Sequence, residues 1–339
     1  MPEKKLFKIR QHFLFLGIIP SVLFLIIAIL SLTWLQDLHL TNTVQSDLNS
    51  AYRIFYGELF KEATLMNVLL DEISDNEGIR NAFLDKDRER LQTLTQPIYQ
   101  NFRAEYDITH CYFHLLDRKV FLRQHSPDQY GDSINRFTLM EAEQTGLPSY
   151  GLELGVFDTL TLRVVIPWRI DGQIVGYLEL GKEIDQILGE MKKILEVDLV
   201  LVVNKINLDK EKWERGNSWG NNQASKWDEF PDVVLFGNTM DKMPPILNLD
   251  LARPHNQHED LLLEIHDAGR IYVAGFAPLL DADDKDIGDL ILIKDFTEVK
   301  FVSGRINFLV LTGYIFCLLL YVSFIFFYLR RLKHKDSSI

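Results

Sequence analysis

The residues best suited to chemistry sit close together: His110, Tyr112, His114, Arg123 and His125, followed by Arg163, Tyr177 and Glu179. Guanidiniums grip carboxylates with two prongs, and imidazole and phenol groups add hydrogen-bonding atoms around them. Arg123 and Arg163 are therefore candidates to fork onto a small ligand's carboxylate. Tyr112, His114 and His125 are further donors, and Tyr177 and Glu179 complete the surface. The competing reading is a solvated sheet face with ordinary polar residues. His110, His125 and Glu179 could also be drawn around a metal, but no short ligand motif supports one and none is expected. Imidazoles beside guanidiniums titrate in a useful range, which leaves a pH sensor open. His255, His258 and His266 read as solvated or structural.

Catalysis finds no support in the sequence. There is no G-x-S-x-G, no Walker loop and no H-E-x-x-H, and Asp281-Ala282-Asp283-Asp284 reads as an acidic turn. Neither an enzyme activity nor a cofactor is expected. The net charge of −12, with basic residues not gathered into a stripe, argues against nucleic acid.

Positioning these residues requires a sheet. Tyr112 to Asp132 reads YFHLLDRKVFLRQHSPDQYGD, with the two-residue period of a half-buried hairpin. A tight turn at Asp117-Arg118 would set His110 opposite His125, Tyr112 opposite Arg123 and His114 opposite Phe121 on one face. Cys111, Phe113, Leu115, Val120, Leu122 and Gln124 would then form the other, mostly apolar face. Asp132 or Ser133 is expected to cap a helix carrying Ile134, Phe137 and Met140, stopped by Gly146 and Pro148. Strands follow at Leu160–Trp168 and Gln173–Gly181, joined at Asp171-Gly172. Leu162, Val164, Ile166, Leu178 and Leu180 face the core; Arg163, Tyr177 and Glu179 face the other way. A helix over Glu183–Leu195 leaves this unit.

Two apolar runs bracket the sheets. Phe13–Leu35 and Asn307–Leu329 are each long enough to cross a membrane, which takes about 20 residues. The first is too long for the apolar part of a signal peptide and lacks a cleavage site. Lys4, Lys5, Lys8 and Arg10 precede it, and Arg330, Arg331, Lys333 and Lys335 follow the second, so the positive-inside rule places both termini in the cytoplasm. Residues 36–306 are then periplasmic and strongly acidic. Val44, Leu48, Ala51, Phe55, Leu59, Ala63, Met66, Leu70 and Ile73 recur at helical spacing, predicting a long stalk helix continuous with the first span. A further helix is expected over Lys86–Phe102.

A second unit repeats the order of the first: strand Asp198–Asn204, a polar loop rich in Trp, Asn and Gly, and strands at Val233–Phe236, Leu261–His266, Ile271–Leu279 and Leu290–Asp295. A short connector, Phe296–Arg305, feeds the second span. The fold class is α+β, with two antiparallel-sheet modules between membrane helices. Cys111 and Cys317 lie in settings that preclude their pairing.

These segments resemble the extracytoplasmic double Cache sensors of bacterial two-component kinases and chemoreceptors. The resemblance rests on FHLLDRKVFLRQHSPDQYGDSI, EAEQTGLP, GLELG and RVVIPWRIDGQIVGYLELG, which cover Phe113 to Gly181, and continues through VDLVLVVNK and GDLILIKDFTEV. It implies two PAS-like modules over about 40–300, the first (36–195) far from the membrane and the second (196–300) near it. It also implies a possible homodimer. The sequence departs from the family at Thr138, where an Arg is usual; Arg136 stands two residues earlier. Only Arg330–Ile339 follow the second span, in place of a kinase, cyclase or methyl-accepting domain. The expectation is a two-pass inner-membrane sensor of a small anion, such as an organic acid. It would signal to a separately encoded histidine kinase, cyclase or receptor. The alternative is a ligand-independent scaffold subunit.

Overall fold

The structure, a computed structural model, describes residues 17–156, 158–195, 197–219, 226–240 and 262–336. His255, His258 and the basic residues before position 17 lie outside that set.

One helix, α1 (Ile19–Asp75), carries both the first span and the stalk. All nine residues of its apolar row, Val44 to Ile73, are buried. Each large side chain so buried contributes roughly 1.5–3 kcal/mol. The helix expected over 86–102 is α3 (Arg88–Tyr106), and a short helix that was not expected, α2 (Glu77–Leu84), precedes it. Asn76 and Asp87 cap them, accepting from Ile79 N and Arg90 N at 3.1 and 3.0 Å.

The chain then builds β1 (Ile108–Leu115), β2 (Val120–Arg123), α4 (Phe137–Thr145), β3 (Ser149–Leu154), β4 (Leu160–Ile170) and β5 (Gln173–Glu183). β3, which has only a short alternation, was not expected as a strand. It pairs with β4 at the sheet edge, giving the order β2-β1-β5-β4-β3. Asp171 and Gly172, both at positive φ, make the two-residue turn between β4 and β5.

The second module runs α5 (Asp185–Leu195), β6 (Asp198–Asn204), α6 (Lys210–Trp219), β7 (Val233–Asn238), β8 (Leu262–Asp267), β9 (Arg270–Leu280) and β10 (Asp286–Asp295). Its order, β7-β6-β10-β9-β8, repeats the first sheet's with every strand number raised by five. The polar stretch after β6 holds a helix, α6, where a loop was expected. The acidic segment is a turn, with Asp281 Oδ1 accepting from Asp283 N and Lys285 N at 2.9 Å each. The main core draws on α1, α2, α3 and the inner faces of both sheets; the outer face of the second sheet has its own.

The connector expected over 296–305 is helical, because α7 runs unbroken over Thr297–Asp336. Two compact units result: 47–268 with 272–294, which holds both sheets, and 1–46 with 269–271 and 295–339, which holds the membrane helices. Within the latter, Ser21 Oγ and Tyr314 Oη lie 2.9 Å apart, Gln36 takes hydrogen bonds from Ser303 and Asn307, and Asp37 pairs with Lys300. α1 and α7 each present an apolar, unburied stretch long enough to cross a membrane.

Candidate functional site

The hairpin departs from its expected register at one place, and the departure decides which side chains face the site. Tyr112 pairs with Arg123 and Phe113 with Leu122 as anticipated, but His114 pairs with Val120, not Phe121. Leu115 and Lys119 close a three-residue loop, Leu116-Asp117-Arg118, in which Arg118 takes positive φ. Phe121 is left as a bulge. It turns to the core, edge-on to Phe83 at 5.4 Å, while Val120 turns to the site face with Tyr112 and Tyr177. β2 ends at Arg123, so His110 and His125 are not ladder partners; their rings nonetheless touch at 4.7 Å.

Tyr112 is the centre of the face. His110 and His114 stack beside it in nearly parallel planes, at 6.1 and 5.4 Å, and His125 meets it edge-on at 4.9 Å. Three guanidiniums approach the same ring: Arg123 at 5.2 Å, Arg136 at 5.4 Å and Arg163 at 5.9 Å. Tyr177 sits to one side, in a small apolar cluster with Ile134, Leu139 and Ala142. Burial, with Glu143 nearby, pushes its phenol pKa up.

Arg123 and Arg163 do not share a carboxylate. Arg163 Nη1 donates to Glu179 Oε1 at 2.6 Å; Arg136 Nη2 donates to both oxygens of Glu179, and His114 Nε2 lies 2.9 Å from Oε2. Arg123 is held by Asp132, in two contacts of 2.7 Å, and by Gln129 O at 2.8 Å. Asp132 therefore anchors the loop after β2 and caps no helix. α4 starts five residues later, at Phe137, with Arg136 in the capping position and no side-chain cap. Tyr130, stacked on Arg88 at 3.6 Å, fastens the same loop to α3.

Arg136 and Glu153 were not anticipated as site residues. Arg136 lies in the loop before α4, and Glu153 on the unexpected edge strand β3. Glu153 Oε1 accepts from Thr138 N at 2.8 Å, while its Oε2 faces Arg136 Nε at 3.3 Å and Arg163 Nε at 3.7 Å. The only sequence sign of either was the displaced arginine beside Thr138.

The cluster is dry. Glu179 and His114 are fully buried and Arg163 nearly so. Burial alone would raise the Glu179 carboxyl, but Arg136, Arg163 and the His114 bond outweigh it and hold it well below the ordinary carboxylate range. Glu153 goes the other way, its pKa raised by burial against the same two arginines. Burial lowers all three imidazoles: His110 well below its usual value, with Arg163 and His125 adding to the shift, and His114 despite its bond to Glu179. His125 falls to about 4, through burial and then Arg123 and Arg163. Three carboxylates, Glu153, Glu179 and Asp132, thus face three guanidiniums among neutral imidazoles. Glu179 is fully engaged this way, and among the described residues no group of three ligating side chains comes together for a metal.

Hydrogen bonding is less complete than charge. Arg136 Nε, Arg163 Nε, Glu153 Oε2, His114 Nδ1 and Thr138 Oγ1 are buried without a hydrogen-bond partner, all in this cluster.

Two sheets of identical strand order lie, in chain order, between two helices long and apolar enough to cross a membrane. The sequence model of the double Cache family, described as the double sensory domain of two-component sensor kinases, matches residues 42–299, and the chain belongs to that family. The Vibrio cholerae LuxQ periplasmic domain is similar over 73% of this chain and 98% of its own, at 13% identity and a TM-score of 0.44. The V. cholerae DctB histidine kinase sensor domain covers 77% and 98%, at 12% and 0.45. The Escherichia coli DcuS sensor domain covers 40% and 97%, at 15% and 0.34. No curated protein sequence matches the chain.

Proposed function

We propose that the chain is a two-pass inner-membrane sensor that binds a small anion at the Tyr112 cluster. The observation that carries this reading is the convergence of three guanidiniums on the Tyr112 ring, where Arg136 Nε, Arg163 Nε and Glu153 Oε2 are in ion-pair contact but make no hydrogen bond. An unmade buried hydrogen bond costs about 1–3 kcal/mol. The first module would stand away from the membrane and both termini would be cytoplasmic. The signal would leave through α1 and α7 to a kinase, cyclase or receptor in contact with them.

The charge balance of the cluster favours a second reading, in which it is a closed structural core and the chain a scaffold. Thermal unfolding of the full chain in lipid nanodiscs, against mono- and dicarboxylates and amino acids, separates the two. Ligand at 100 times Kd contributes about 2.7 kcal/mol. A stabilising hit lost in Arg136→Lys, which keeps charge but not the fork, supports sensing. No hit across the panel supports the scaffold.

A further inference from the structure

Resting on that sensing role, we propose that the cluster binds its anion together with a proton, which His125 and its neighbour His110 take up. Charge accounting leads there. Arg123, Arg136 and Arg163 are already neutralised by Asp132, Glu179 and Glu153. An anion entering this buried site would leave it in excess on the negative side by the anion's own charge, and uncompensated buried charge is expensive. The groups that can restore balance are Glu153, whose carboxyl pKa burial raises but which Thr138 N, Arg136 and Arg163 hold in its charged form, and the imidazoles lining the site.

His110 and His125 both keep part of their surface exposed, and His125 stands two residues past the end of β2. Arg123 from β2, Arg163 from β4, Glu179 from β5, and His110 and Tyr112 from β1 all face it. The two guanidiniums oppose its protonation, and an anion lying against them removes that opposition. Its Nδ1 accepts from Cys111 N at 3.3 Å, so a second ring proton must displace that bond and turn the ring. His110 faces Arg163, Arg136, Glu179 and His125. Its Nδ1 is 2.8 Å from Thr109 Oγ1, a hydroxyl that accepts equally well from a protonated ring. His114 is less suited, because Glu179 already satisfies its Nε2 and Arg136 and Arg123 lie beside it. The site thus takes up an acid as anion plus proton, and binding strengthens as pH falls.

Sulfate is the probe, being fully ionised throughout the range used. Its stabilisation of the full chain in nanodiscs would be measured near pH 5 and near pH 7.5 at constant ionic strength. Uptake of one proton predicts affinity rising about tenfold for each pH unit of decrease across the linked range. The expected result is a Kd at least about tenfold lower near pH 5, with that dependence lost in the His110→Gln/His125→Gln double variant. Histidine ring nitrogen shifts of the unmodified chain provide a check that does not depend on a variant folding: at low pH, sulfate should move His125 and His110 toward their protonated values. Equal affinity at both pH values, retained pH dependence in the double variant, or unmoved ring shifts would overturn the proposal. A carboxylate that binds equally at both pH values and is lost in Arg136→Lys would remove the proton and leave sensing intact. No stabilisation by sulfate or any carboxylate at either pH would remove both.

Discussion

Glu179 is the residue on which the first module's polar side turns. Replacing it by Gln leaves Arg136 and Arg163 buried with only the longer contacts to Glu153, and breaking a buried pair from one side costs about 3–5 kcal/mol. The expected outcome is a large drop in melting temperature, whereas charge removal at solvent-exposed Lys61, which pairs with Glu58, changes little. The imidazoles give the pH dependence its sign. His125 binds its proton more weakly folded, at about 4, than unfolded, at about 6.5. Its contribution is fully present above about 6.5 and is lost as pH falls toward 4. Glu179, depressed in the folded state, adds a second loss below the unfolded carboxylate range, about 4.3. Unfolding scans across pH should show the first loss reduced in His125→Gln and the second unchanged. Tyr112, His114, Arg123, His125, Arg163 and Glu179 were legible from strand parity. Arg136 and Glu153 were not, since a loop residue and a short edge strand give no periodic signal.

At the scale of elements, the sequence showed α1 and most strands because their apolar spacing persists over many residues. It missed the slip between β1 and β2, because one αL residue at Arg118 changes a two-residue turn into a three-residue one without altering the alternation. That slip exchanges Val120 and Phe121 between faces. α6 escaped because its Trp, Asn and Gly content reads as loop when tertiary contacts are unseen. Two glycines test the packing in opposite directions. A Cβ on Gly176 would run into His114 O, with the Phe83 ring close behind. Gly176→Ala should therefore destabilise by roughly 1–3 kcal/mol and speed hydrogen exchange along β1 and β5. A Cβ on Gly57, within α1, meets nothing. Gly57→Ala should stabilise by about 0.5–1 kcal/mol through helix propensity alone. Equal effects from the two would contradict the packing described for β5.

For the whole molecule, the repeated strand order was legible in the echo of one unit by the next. The contacts tying the modules together were not. Asp209 N donates to Asp158, Ala282 N to Leu152 O at 2.8 Å, and Leu280 N to Tyr56 of α1 at 2.8 Å. None of these pairs is close in sequence. α1 is also bound by Lys182 through Glu62 and by Lys294 through Asp47, so it takes part in both sheets' packing. The membrane helices have their own polar rungs: Gln36 with Ser303 and Asn307, and Ser21 with Tyr314. A Gln36→Cys/Ser303→Cys pair, with the native cysteines replaced by Ser, should cross-link efficiently within one chain, and Leu38→Cys/Ser303→Cys poorly. The orientation implied by the basic flanks is tested with a membrane-impermeant maleimide. Gln129→Cys should label in intact spheroplasts and Arg331→Cys only after lysis. Labelling of both before lysis would place the C-terminal end of α7 on the same side as the sheets. α7 would then not cross the bilayer, and a signal leaving the sheets would have only α1 to travel along.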